Sequence, residues 1–239
     1  MTRSFDIVDC KVAETEFFLK RIPECGFDFF AVRCFVSAFI SSARSITFAL
    51  QACLNNLDGF NFWYAGVQSF LRENALVKFF NDFRRLNQHI GADLVKGGAG
   101  GLGRKPVYYF KPIPDLKEVP SEDVETACRR YFEIILELIY SCYLEFGPVI
   151  DPKQYYTKDH FEKIGRTIDD ADEELFGVRG WTDVPGYPEA YRWQALRDSQ
   201  PGCGINHIFS CYLGKTIPEP QRLSIPTILD KSRGADEFR

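Results

Sequence analysis

The sequence predicts an all-α fold: a helical bundle over residues 1–150, followed by a mostly helical or irregular extension over residues 151–239. Three observations predict it. Apolar residues recur at helical spacing over long stretches rather than alternating as strands require. Those stretches are separated by strong breakers, among them Asp58-Gly59, Gly91 and the prolines at 112, 114 and 120. Beyond Pro148 the composition turns to acidic residues with dense proline and glycine, which sets a boundary near residues 148–152.

The elements follow in order. Residues 12–22 read as a short helix with Phe17, Phe18 and Ile22 on its apolar side, ended by Pro23. A long helix spans 28–55, carried by Val32, Phe35, Val36, Phe39, Ala43, Ile46 and Leu50. After the turn at 57–61, a third helix is expected over 62–90, with Asn74 marking a bend or a cap and Gly91 a stop. Residues 97–103 are nearly all glycine, so a mobile loop is expected there. Residues 106–110 suit a short extended piece. Ser121 is a good N-cap for a fourth helix, whose period runs from Val124 to Phe146 and ends at Gly147-Pro148. Residues 157–175 read as an acidic, exposed helix and 188–198 as another. The tail after Pro218 is expected to be extended or disordered.

Charge and apolar content narrow the class. With 45% apolar residues, including 22 Phe, the chain can fill a sizeable core. A net charge of -4 argues against a broad basic face for nucleic acid while leaving room for a small basic cleft. The start is polar, with Asp6 and Asp9, and lacks the pattern of a secretory signal. The strongly apolar run at 131–146 carries three glutamates, so it reads as a core helix rather than a membrane span. A cytoplasmic protein without membrane attachment is expected. In that setting the eight cysteines read as reduced, mostly buried small residues.

The main chemical candidate is Arg84-Arg85-Leu86-Asn87-Gln88-His89, at the end of the third helix. Histidine can take and give a proton near neutral pH. Arginine is a permanent cation that forks onto phosphate oxygens. Arg85 and His89, four apart, share a helix face; Arg84 and His89, five apart, stand about 140° around a straight helix. Arg84 reaches the same cleft only through its long side chain or if the last turn unwinds. Arg44, inside an apolar helix, is either paired or solvent-reaching, or lies on the wall of that cleft.

The stretch Phe79-Phe80-Asn81-Asp82-Phe83-Arg84-Arg85-Leu86-Asn87-Gln88-His89 resembles the Arg-x4–6-His signature of HEPN domains. Residues 11–21, and 35–51 with Ser42-Ala43-Arg44-Ser45, resemble the first helices of uncharacterised bacterial HEPN-like proteins. The likeness spans roughly residues 8–146. It implies a four-helix bundle, a homodimer whose two motifs face each other, and metal-independent RNA cleavage of a toxin or defence type without a cofactor. Arg84 and His89 would then be catalytic, with Arg85, Arg44, Lys96 and Arg104 as RNA-binding residues. Many nuclease members carry Asn, Asp or His straight after the arginine, where this chain has Arg85. The alternative is a non-catalytic HEPN-like module that binds a partner protein or a nucleotide.

The remaining motifs have plainer readings. Gly98-Ala99-Gly100-Gly101-Leu102-Gly103 matches G-x-G-x-x-G but follows a helix instead of a strand, so a dinucleotide site is not expected. Cys203-x3-His207-x3-Cys211 has zinc-like spacing without an obvious fourth ligand, and no metal is expected. The acidic run 169–174 reads as a solvated helix face. No Ser-His-Asp arrangement is readable.

Overall fold

The computed structural model describes residues 4–91, 93–97, 105–219 and 222–223 of the chain. These are mostly helical, with one two-stranded sheet. The chain divides into two compact units, Met1–Cys142 with Gly204–Thr216, and Tyr143–Cys203 with Ile217–Arg239.

The first unit opens on α1 (Asp6–Arg21), which begins six residues before the expected start. Phe5, Val8 and Val12 are buried, and Asp6 and Asp9 lie in the first turn, where the helix dipole favours acids. A short 3-10 turn, Pro23–Cys25, leads on. Helix α2 (Phe29–Leu54) is capped by Asp28, whose carboxylate accepts the Ala31 N–H at 2.9 Å. By length and composition α2 is apolar enough to cross a membrane. In the fold it packs along α1 and buries Val32, Val36, Phe39, Ala43, Ile46 and Leu50.

The third helix expected over 62–90 is two helices, α3 (Phe60–Glu73) and α4 (Ala75–Ile90). Asn74 alone joins them. Its backbone leaves the helical region at ψ 118°, ending α3, while its side chain accepts the Val77 N–H at 3.1 Å and starts α4. One residue thus acts as stop and as cap. Both α2 and α3 pack against α4. Gly91 ends α4 at φ 68°, a left-handed conformation that favours glycine.

Strand β1 (Val95–Gly97) pairs antiparallel with β2 (Tyr108–Phe110), Lys96 opposite Tyr109. The expected loop at 97–103 lies outside the described residues except for Gly97, as do the glycine motif and Arg104. Helix α5 (Val124–Ile150) corrects two expectations. Its cap is Asp123, not Ser121: Asp123 accepts both the N–H (3.0 Å) and the hydroxyl (2.7 Å) of Thr126. It also continues through Pro148, because a proline one turn from a helix end removes a single internal hydrogen bond. Phe39 of α2 sets its ring against Phe80 of α4 and Tyr131 and Phe132 of α5, at 6.3–6.5 Å between centroids. These aromatic contacts tie the bundle's core together.

In the second unit the single acidic helix expected at 157–175 is broken. After α6 (Pro152–Tyr155) come α7 (Lys158–Lys163) and α8 (Ile168–Phe176). Gly165 turns the chain at φ 70°, and Thr167 with Asp170 forms a capping box that restarts it. The acidic run is not wholly solvated: Asp172 is fully buried, accepting from Arg192 at 2.7 Å and from Thr182 at 2.9 Å. Helix α9 (Glu189–Asp198) supplies Arg192 and also Trp193 and Leu196, which join Tyr156, Phe161 and Ala171 in this unit's own core. Helix α10 (Asn206–Leu213), which the periodicity did not suggest, belongs to the first unit. There Phe209 meets Tyr140 and Tyr212 meets Phe132.

Candidate functional site

Helix α4 carries the predicted motif on a regular helix. Its apolar face buries Val77, Phe79, Phe80, Phe83 and Leu86, which fixes the outward direction of every other residue. Along the seam with α2, polar side chains from both helices interlock. The Ser37 hydroxyl donates to Asn87 Oδ1 at 2.8 Å, and Gln88 Nε2 donates to Ser41 Oγ at 2.7 Å. The other end of the Gln88 amide accepts from Arg84 Nη1 at 3.2 Å.

Arg84 is half-buried at this seam. Its Nε is buried with no hydrogen-bond partner, and no carboxylate among the described residues pairs with it. A buried donor left unmade costs about 1–3 kcal/mol, so the fold holds this side chain at a loss. Arg85 is exposed and pairs loosely with Asp82 at 3.4 Å. His89 is exposed near the C-terminal end of α4. The helix stays regular through Ile90, so the last-turn unwinding that would swing Arg84 toward His89 does not occur. Within one chain these two residues keep the separation of about 140° that helix geometry dictates. Lys96 is exposed on β1.

Arg44 lies on α2, three residues beyond Ser41. It is half-buried; Nη1 donates to the Thr47 hydroxyl at 3.2 Å, and the guanidinium lies 4.5 Å from the Phe48 ring centroid. No carboxylate among the described residues pairs with it. It lines a cleft of about 490 Å3 formed by α2, α3, α4 and α5, together with Tyr64, Gln68, Arg72, Lys78 and Tyr131. Gln51 Nε2 donates to the Tyr64 hydroxyl at 3.0 Å.

The electrostatics connect the two arginines. Burial pushes the Tyr131 phenol up to about 12, while the charges of Arg44 and Arg84 both pull it down. Tyr131 therefore feels both guanidinium groups. Burial also raises the Tyr64 phenol, opposed by Arg44 and by hydrogen bonds from neighbouring polar groups.

Sequence reasoning missed Tyr64, Tyr131, Gln51, Arg72 and Lys78. The available signal was Gln51 interrupting an apolar helix and the two cations flanking the Asn74 joint. Among the described residues no three His, Cys, Asp or Glu side chains group as metal ligands would, Cys203, His207 and Cys211 included. Compared with known proteins, the chain matches no family model, no curated protein and no solved structure.

Proposed function

We propose that the chain is a HEPN-like helical module that binds RNA through its phosphates, with Arg84 as the phosphate ligand at the seam of α2 and α4. The observation that carries this reading is the half-buried Arg84 guanidinium, unneutralised and with its Nε unpartnered. An oxyanion at the accessible part of the side chain supplies the missing countercharge. Gln88 and Ser41 hold the side chain in place for it.

Cleavage is the second reading, favoured by the exposed imidazole of His89 on the same helix. Here a metal-independent endoribonuclease would use His89 to move the proton of the attacking 2′-hydroxyl or of the leaving oxygen. Arg84 would hold the charge growing on phosphate. Because one chain keeps the two residues on different sides of α4, this chemistry needs a homodimer that sets one copy's His89 across from the other's Arg84.

The test is filter retention of labelled single-stranded RNA in the presence of chelator, with product analysis and light scattering. RNA binding that drops about tenfold or more in Arg84→Ala, without products, supports the binding module. Products ending in 2′,3′-cyclic phosphate, lost in both His89→Ala and Arg84→Ala and formed by a particle of two chains, support the nuclease. RNA retention that is absent with no products formed, or retention unchanged in Arg84→Ala, overturns both.

A further inference from the structure

The cleft between α2, α3, α4 and α5 is large enough for a small molecule. Its volume of about 490 Å3 lies within the range of roughly 300–1,000 Å3 common for such sites. Its wall is divided by chemistry. Arg44, Arg72 and Lys78 supply three cations, none of them paired with a carboxylate among the described residues. The acid that lines it, Asp82, is engaged by Arg85. Three cations exceed what a single carboxylate needs and suit a dianion. Deeper in the wall, Tyr64 and Gln51 present a hydroxyl and an amide already bonded to each other at 3.0 Å. The apolar part of the wall includes Phe48, half-exposed beside Arg44, then Leu71, Val77 and Ile135. Such a surface takes a flat ring.

We propose that this cleft binds a small organic phosphate carrying a flat ring, the chemistry of a nucleoside mono- or diphosphate. Arg44 forks onto the phosphate, and Arg72 and Lys78 close around it from the rim. The ring lies against Phe48 and the apolar wall, and the Tyr64–Gln51 pair meets the polar edge of the ligand. The same chemistry is offered by a free nucleotide and by the 5′-phosphorylated end of an RNA strand. Arg84 is not among the lining residues of this cleft, so the proposal does not rest on the RNA-binding reading above.

The test is calorimetric titration of the full chain with AMP, ADP, adenosine, inorganic phosphate and a short 5′-phosphorylated RNA. AMP or ADP is expected to saturate the protein, with adenosine and phosphate each at least about tenfold weaker. Arg44→Ala should weaken AMP by about tenfold or more. Arg44 sits on a core helix, so the exposed double variant Arg72→Ala/Lys78→Ala is the companion: it should weaken AMP while leaving the melting curve in place. Arg84→Ala should keep AMP affinity close to that of the parent even where RNA retention is lost, which separates the two sites. In that Arg84→Ala background, tighter binding of the RNA than of AMP assigns the strand end, and equal or weaker binding assigns the free nucleotide. Failure of every ligand to bind, adenosine binding as tightly as AMP, or AMP affinity unchanged in both cleft variants overturns the proposal.

Discussion

Replacing Arg84 by methionine should make the first unit more stable while removing its phosphate ligand. Methionine keeps much of the aliphatic stem and deletes the guanidinium. Two terms then oppose each other. The buried Nε that no group satisfies is removed, which returns about 1–3 kcal/mol of desolvation cost. The 3.2 Å hydrogen bond from Nη1 to Gln88 is lost, at about 0.5–1.5 kcal/mol. Gln88 is exposed, so water takes over its freed oxygen and no second penalty follows. The net is a gain of about 1 kcal/mol, or roughly 2–4 °C in the melting midpoint for a chain of this size. Thermal melting by circular dichroism, run beside RNA retention, checks both halves. A methionine variant destabilised by more than about 1 kcal/mol would refute the reasoning, because Arg84 would then be holding the fold and not waiting for an anion.

Two further outcomes follow from buried polar groups. In the second unit, Asp172→Asn removes the fully buried charge that faces Arg192 and Thr182. Leaving the largely buried Arg192 with Asp169 alone should cost about 3 kcal/mol, read as a lower urea midpoint; a shift worth less than about 1 kcal/mol would contradict it. In the first unit, Tyr131 holds its proton up to about 12 against an ordinary value of 10.0. Above the unfolded value the unfolded chain has lost a proton that the folded chain keeps, so stability present below pH 10 falls as pH rises toward 12. The two-unit difference corresponds to about 3 kcal/mol, and Tyr131→Phe should flatten that part of the alkaline stability curve. A Phe variant with the same alkaline slope as the parent would assign the loss to other tyrosines.

Much of the helical frame was legible because its signals are local. Asp28 ahead of an apolar period gave the start of α2, and the unbroken period from Val124 to Phe146 gave α5. Asn74 stood out as a bend or cap, although one long helix seemed simpler than two joined by a single residue. The cleft was hidden for a different reason. Tyr131 falls on the apolar period of its helix, so it reads as core, and only the packing of α3 beside α4 turns that part of the core into a wall. The seam that holds Arg84 was equally hidden, since Ser37–Asn87 and Ser41–Gln88 join residues 50 and 47 positions apart. Strand β1 escaped notice because its residues Val95, Lys96 and Gly97 run into the glycine-rich stretch and carry no alternation of their own.

The two separate cores also have an optical consequence. The chain holds three tryptophans. Trp63, on α3, sits half-buried against Phe60 and Tyr64 in the first unit. Trp193 is buried in the core of the second, and Trp181 is 62% exposed. An exposed indole emits at nearly the same wavelength folded or unfolded, whereas a buried one shifts to the red when water reaches it. With Trp181 changed to Phe, each unit keeps one indole of its own. A second Phe, at Trp63 or at Trp193, then leaves a chain whose emission colour follows the melting of one unit alone.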